Sequence, residues 1–281
     1  MSVGETGVHA LIGSPISHSL SPIIFNGTFQ KLSLNRVYLT FEVSIDHLES
    51  VLQAIRTLKF EGFNVTIPHK TRIVPLLDQL DSEAKKIGAV NTVVKNARQE
   101  LVGYNTDGEG AVRAIKSYGF EPQGKRILMI GAGGSARALL HRLAKQECTI
   151  QILNRTPNNA KQIVDNLTRT RAKITYDGLT RPILENSLRN TNLVLNTTPQ
   201  QTPELLRELN VSPNLLKEVD FVFDLAYDKP AEPVPTKHGR ISSLEMLLQQ
   251  AALSYEIWIQ RPVPLELMRS TITAHLGLDW R

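Results

Sequence analysis

The chain has 281 residues, 41% of them hydrophobic and 6% aromatic, with a formal net charge of +5. That length allows one large or two ordinary domains with real cores. Its Lys and Arg residues are scattered, without runs or interleaved aromatics, which argues against a nucleic-acid face. A single cysteine, Cys148, leaves no disulfide framework, and no segment reaches the length of a membrane span. Met1–Glu5 carries no basic, apolar leader, so a soluble cytoplasmic protein is expected.

Residues 8–12 predict a first strand. The stretch that follows, 13–22, is too polar and Pro-rich to continue it. Ser21 is a good N-cap and Pro22 a good first residue for a helix to about Lys31. Alternate spacing puts Ser17, Ser19 and Ser21 on one side of an extended loop. Loop serines are ordinarily turn-formers, but these follow a strand's carboxyl end, where α/β proteins bind ligands. Residues 37–43 predict a second strand and 46–58 an amphipathic helix.

The stretch Phe63-Asn64-Val65-Thr66-Ile67-Pro68-His69-Lys70 reads as a strand with Asn64 and Thr66 on one face, stopped by Pro68. Lys70 is expected to open the next helix, where the macrodipole disfavours a cation. It is either a solvated lysine or a functional one. His69 reads as a solvated or packing residue. Two short helices over 71–87, strands at 89–94 and 101–104, and a polar turn at 96–99 follow. Asn105-Thr106-Asp107-Gly108 begins a helix to about Tyr118, with Thr106 or Asp107 as its natural cap.

Residues 126–130 are almost all apolar and partly β-branched, as in a buried parallel strand. Gly131-x-Gly133-x-x-Ala136 follows. In a dinucleotide loop Gly131 makes the tight turn, Gly133 admits a pyrophosphate, and Ala136 lets helix and strand pack closely. Helical spacing over 134–146 and a strand at 149–153 complete a βαβ unit. At the end of that strand stands Asn154-Arg155-Thr156-Pro157, where an NAD enzyme usually has Asp or Glu. A guanidinium there suits a 2′-phosphate. The plainer reading is Thr156 as a helix cap beside a solvated Arg155. After a helix over 157–168, strands are expected near 172–176, 192–196 and 220–225. Asn196-Thr197-Thr198-Pro199 ends one of them and Asp224-Leu225-Ala226-Tyr227 another. A Pro-rich stretch at 228–240 precedes a long helix from Ser243 through Trp258. No internal repeat is visible.

Taken together these motifs resemble the NADP-dependent shikimate dehydrogenase family. The resemblance rests on Ser19-x-Ser21-Pro22, residues 64–70, Ala89-Val90-Asn91-Thr92, residues 105–108, the glycine loop, residues 154–156, and Glu245-Met246-Leu247-x-x-Gln250-Ala251, in the family's order. It implies an α/β protein with two parts. One is a substrate-binding domain of residues 1–106 with 243–281, the C-terminal helices packing back on it. The other is a Rossmann-type dinucleotide-binding domain of residues 107–242. The active site would be the cleft between them.

By position, Ser19 and Ser21 match the binders of the substrate carboxylate. Asn64, Thr66, Asn91 and Gln250 match groups that hydrogen-bond ring hydroxyls. Lys70 and Asp107 match the catalytic pair, which also touches substrate, and Tyr227 matches a residue beside substrate and nicotinamide. NADP(H) would be held by Gly131, Ala132, Gly133, Gly134, Ser135, Asn154, Arg155, Thr156, Thr198, Leu225 and Ser243. No metal and no nucleic-acid or membrane partner is implied, and the protein would be a monomer or homodimer.

The chain departs from the family's pattern at three places. Asn159 stands where Arg usually gives a second clamp on the 2′-phosphate. Gln201 stands where Gly is usual, and Ser242-Ser243 where Asp-Gly is usual. The first bears on cofactor choice, the others on the fit of the nicotinamide half. The implied reaction is reversible reduction of 3-dehydroshikimate to shikimate with NADPH, in aromatic amino-acid (chorismate) biosynthesis. Which of Lys70 and Asp107 holds the proton at each step is left open. Other readings are a quinate/shikimate dehydrogenase of relaxed cofactor or substrate choice, a non-catalytic NADP(H)-sensing protein, and a structural protein. Loss of Lys70 or Asp107 would mark the second; both are present.

Overall fold

The computed structural model describes residues 6–226 and 232–277. The chain divides into two units, Met1–Gly110 with Leu247–Arg281, and Ala111–Met246.

The first unit is built on a six-stranded mixed sheet of order β2-β1-β3-β5-β6-β4. Its strands are β1 (Gly7–Gly13), β2 (Arg36–Glu42), β3 (Phe60–Val65), β4 (Gln79–Leu80), β5 (Thr92–Lys95) and β6 (Leu101–Tyr104). β1 runs parallel to β2 and β3, whereas β5 is antiparallel to both its neighbours. Alternation sends Ala10, Ile12, Phe63 and Val65 to one face, where they pack with Leu48, Leu52 and Ile55 of α2 (Leu48–Thr57). On the other face His9, Phe25 and Tyr38 contact Trp258, and Phe29 packs against His9 and Phe25. Phe25 and Phe29 come from α1 (Ser21–Lys31), Trp258 from α9 (Ser243–Ile259). A side chain at Gly62 would sit 2.4 Å from the Trp258 indole nitrogen, so glycine lets the ring lie on the sheet. α10 (Leu265–Leu276) packs on α1, with Thr271 filling the space above Gly27. Of the two C-terminal helices, α9 thus lies on this first sheet through Trp258 and α10 lies on α1.

The second unit is a five-stranded parallel sheet of order β11-β10-β7-β8-β9. The strands are β7 (Arg126–Ile130), β8 (Thr149–Asn154), β9 (Lys173–Gly178), β10 (Leu193–Asn196) and β11 (Phe221–Asp224). Counted from β7 this is the doubly wound order 3-2-1-4-5. A single parallel bridge between Val222 and Arg240 stands where a sixth strand would add. Ile127, Met129, Ile150 and Ile152 face one layer with α4 (Asp107–Ser117), α5 (Gly134–Leu143) and α6 (Pro157–Asp165). Leu128, Ile130, Val194 and Val222 face the other, with α7 (Arg181–Leu188) and α8 (Thr202–Glu208). Burial on both faces explains the near-continuous apolar strands.

Several local expectations change. Ser21 is the first helical residue and Leu20 the N-cap, with no side-chain cap. The serine loop is not extended: Ser19 N–H donates to Ile16 O at 3.0 Å and closes a turn, leaving Ser17 exposed while Ser21 is buried. Lys70 opens no helix, because residues 67–73 form consecutive turns after the strand stops at Val65. The macrodipole argument for Lys70 therefore falls away. Of the two helices expected over 71–87, one is a single 3-10 turn at Val74–Leu76; α3 (Ser82–Ile87) is the other, after the two-residue β4. Thr156 sits at the N-cap of α6, but its side chain makes no capping bond. α7, α8 and α10 were not evident from periodicity; the first two are only 8 and 7 residues long.

Candidate active site

In the first unit the polar residues converge beyond the strand ends. Thr106 precedes α4, and its hydroxyl is drawn to Asn91 rather than to the helix end. Asn105 takes the capping role instead, its side-chain oxygen accepting from Asp107 N–H at 3.1 Å. The Asp107 carboxylate is thereby free to point away from its own helix. Its Oδ2 accepts from Lys70 Nζ at 2.7 Å and its Oδ1 from Asn91 Nδ2 at 2.8 Å. The Lys70 side chain is 15% exposed and that of Asp107 6%. A carboxylate so far from water needs such partners, and here a cation and an amide supply them.

Asn91 links this pair to α9, its Nδ2 also lying 3.3 Å from Gln250 Oε1. Its Oδ1 accepts from Thr106 N–H at 2.8 Å, which fixes the amide's orientation. Gly110 is what lets α4 and α9 approach: a side chain there would meet Gln250 backbone at 2.9 Å. Asn64 is buried and fully engaged. It accepts from the Tyr38 hydroxyl at 2.8 Å and donates toward Asn91 O, Thr92 Oγ1 and Ser254 Oγ. Thr66 is half-buried just past β3. Ser19 Oγ accepts from Ser21 N–H at 3.3 Å, so these two serines are joined and Ser17 is not. His69 proves to be a packing residue, fully buried with Nε2 2.7 Å from Val43 O.

Tyr38 and Ser254 join this cluster without having been singled out from sequence. For Ser254 a signal existed: it follows Gln250 by four residues on α9, so both occupy one stripe of the helix. For Tyr38 there was none, since a strand tyrosine usually just packs.

In the second unit Gly131 has φ +106°, and a side chain there would collide with Thr197 Oγ1 at 2.3 Å. This position, between the ends of β7 and β10, is the switch point of the sheet. Gly133 is different, because a Cβ there would meet nothing within 4 Å. Packing does not demand glycine at 133; a phosphate approaching the backbone at the start of α5 would. Ala132, Gly134 and Ser135 line the same turn, half-buried. Across β8, Asn154 Nδ2 donates to Thr156 O at 2.9 Å and holds the turn that carries Arg155. Arg155 is exposed and enters no ion pair with a described residue. Asn159 is exposed on α6, and Lys161 is tied to Asp165 at 2.5 Å. On the other side of β7, Thr198 and Leu225 follow β10 and β11, and Ser243 starts α9. Tyr227 lies outside the described residues. The glycine backbone, the space above it and an unpaired cation fit a phosphorylated dinucleotide. Cys148 takes no part: it is buried, and burial pushes its thiol up to about 11.

The doubly wound sheet with this loop, joined to a second α/β unit holding a partly buried Lys–Asp pair, defines a dinucleotide-dependent oxidoreductase class. Residues 11–93 match the shikimate dehydrogenase substrate-binding domain, 114–244 the shikimate/quinate 5-dehydrogenase family, and 244–273 the shikimate 5′-dehydrogenase C-terminal domain. The chain belongs to the shikimate dehydrogenase family. It is 37% identical to shikimate dehydrogenase (NADP(+)) of Moorella thermoacetica, over 97% of this chain and 95% of the relative. It is 38% identical to the Methanopyrus kandleri protein of the same name, over 97% of each. The crystal structure of shikimate 5-dehydrogenase from Listeria monocytogenes, in complex with shikimate and NAD, superposes with a TM-score of 0.83 at 32% identity, covering 96% of this chain and 97% of that one. Among the described residues no helix is long and apolar enough to cross a membrane.

Proposed function

We propose that the protein reduces 3-dehydroshikimate to shikimate reversibly with NADPH, and that Lys70 and Asp107 are the groups nearest the chemistry. The observation that carries this reading is the 2.7 Å contact between Lys70 Nζ and Asp107 Oδ2, with the other carboxylate oxygen held by Asn91. When bound, the dinucleotide supplies or takes up the hydride. The protein's part is to move one proton and to stabilise charge at the substrate oxygen. The Lys70 ammonium does both, donating a proton as the carbonyl becomes an alcohol. Asp107 orients the ammonium and accepts from a neighbouring ring hydroxyl. Asn91 and Gln250 form one hydrogen-bonded surface for further ring hydroxyls, with Asn64 and Thr66 beside it. Ser19 and Ser21 bind the substrate carboxylate, the link between them setting the direction of the Ser19 oxygen.

Gly131–Ser135 would hold the pyrophosphate of the cofactor, and Asn154, Arg155 and Thr156 its adenosine end. Thr198, Leu225 and Ser243 stand at the other. The relatives from Moorella and Methanopyrus are named as NADP(+) enzymes, whereas the solved one from Listeria holds NAD; in this chain the 154–159 loop supports NADP through Arg155, which is unpaired among the described residues. A cytoplasmic monomer or homodimer accompanies this reading. The deciding assay is NADPH oxidation with 3-dehydroshikimate, run beside quinate with NAD⁺. Turnover only in the second pair would move the protein to the quinate-using branch; turnover in neither would remove the enzymatic reading.

A further inference from the structure

Beyond β10 and β11 the second unit carries a polar network that the reaction chemistry does not use. Asp224, at the end of β11, is 2% exposed. Its Oδ1 accepts from Asn196 Nδ2 at 2.8 Å, Thr202 N–H at 2.8 Å and Thr202 Oγ1 at 2.6 Å. Its Oδ2 is paired with Arg240 Nη1. The second nitrogen of the guanidinium, Nη2, donates to Glu232 O at 2.7 Å. Gln201 Oε1 accepts the N–H of the same Glu232 at 3.1 Å, and the Gln201 side chain also forms a capping box with Glu204 at the start of α8. Arg207 holds the Glu232 carboxylate with both guanidinium nitrogens, at 2.7 and 2.9 Å. Glu232 is thus gripped at its N–H, its carbonyl and its side chain by three residues of one unit.

Asn196 carries this network to the strand ends. Its Oδ1 accepts from Thr198 N–H and Oγ1, and its backbone carbonyl from Leu225 N–H at 2.9 Å. Topology says which part of a ligand these two residues meet. Arg155 lies at the end of β8, on one side of β7; β10 and β11 lie on the other. A dinucleotide whose pyrophosphate rests on the β7 turn and whose adenosine end is at Arg155 carries its nicotinamide half toward β10 and β11. A buried ion pair adds little net stability over an apolar replacement, so geometry is the better account of one at this place.

We propose that Asp224, Arg240 and Gln201 are positioning residues for the nicotinamide half of the cofactor site. They act by locking Thr198 and Leu225, and they leave the adenosine half alone. On this account Gln201, which replaces a glycine usual in the family, is part of the clamp: its amide oxygen is turned onto Glu232. The proposal rests on the nucleotide reading above.

The test compares two ligands. NADPH, followed by its nicotinamide fluorescence, needs both halves of the site, whereas 2′,5′-ADP, followed by calorimetry, needs only the adenosine half. Arg240→Ala should weaken NADPH about tenfold and leave 2′,5′-ADP within about twofold of wild type. Arg240→Lys keeps a cation beside Asp224 and should recover most of the NADPH affinity. Gln201→Gly removes no charge, so it remains informative if Arg240→Ala does not fold; it should shift NADPH in the same direction by a smaller factor. Equal weakening of both ligands, or an unchanged NADPH affinity in Gln201→Gly, overturns the positioning role. Wild type failing to bind 2′,5′-ADP overturns the nucleotide reading beneath it.

Discussion

Asn91 donates to Asp107 Oδ1 at 2.8 Å while Lys70 donates to Oδ2 of the same carboxylate at 2.7 Å. The carboxylate is therefore held at both oxygens, and the ammonium it orients keeps one direction. Lys70→Ala should lower kcat by about 10²–10⁴-fold, as for a lost acid–base group, with far-ultraviolet circular dichroism unchanged. Near-normal turnover in that variant would take Lys70 out of the mechanism.

Ser21 is buried and Ser19 receives its N–H. If the two hydroxyls bind the substrate carboxylate, each contributes about 1.5–3 kcal/mol of charge-assisted hydrogen bonding. The double alanine variant should raise the KM for shikimate steeply while leaving the Kd for NADPH as it was. An unchanged shikimate KM would end the assignment.

Cofactor choice should follow the 154–159 loop. Arg155 is unpaired among the described residues, Asn159 is short and neutral, and Lys161 is held by Asp165. One charge-assisted contact favours the 2′-phosphate by roughly ten- to hundredfold. Measured as the NADP/NAD ratio of kcat/KM, Arg155→Ala should fall at least about tenfold and Asn159→Arg should rise. A wild-type preference for NAD would show that the loop has been misread.

His9 sets a pH dependence of stability unrelated to catalysis. It is fully buried between Phe29 and Trp258, and neither ring nitrogen has a hydrogen-bond partner. The Glu61 carboxylate lies 3.7 Å away but is shared with Arg36. Burial, and then the Arg36 charge, lower its pKa to about 3. The unfolded chain takes up a proton near pH 6.5 and the folded one does not. Stability should therefore fall as pH drops below about 6.5 and be flat for this group above it, with roughly 3 kcal/mol lost by pH 4. His9→Leu should narrow the gap between urea midpoints at pH 4 and pH 7. An unaltered gap would assign the acid sensitivity elsewhere.

Much of the architecture was determined by the sequence alone, because the forces that shape single elements are local. Burial on both faces makes β7 read as an apolar run, and the turn at φ +106° after it demands glycine at 131. What only the tertiary structure decided is which polar groups meet. Lys70 and Asp107 are 37 residues apart, Asn91 and Gln250 159, Asn64 and Ser254 190. Nothing local could show that Ser21 yields its expected capping place to Leu20, or that Thr106 turns to Asn91 and leaves capping to Asn105. Nor could it show that Gln201 belongs with Glu232 and, through it, with Arg240. A polar side chain takes the strongest partner within reach once it is buried. Reach is set by how sheets and helices pack, and neighbours in the chain do not encode it.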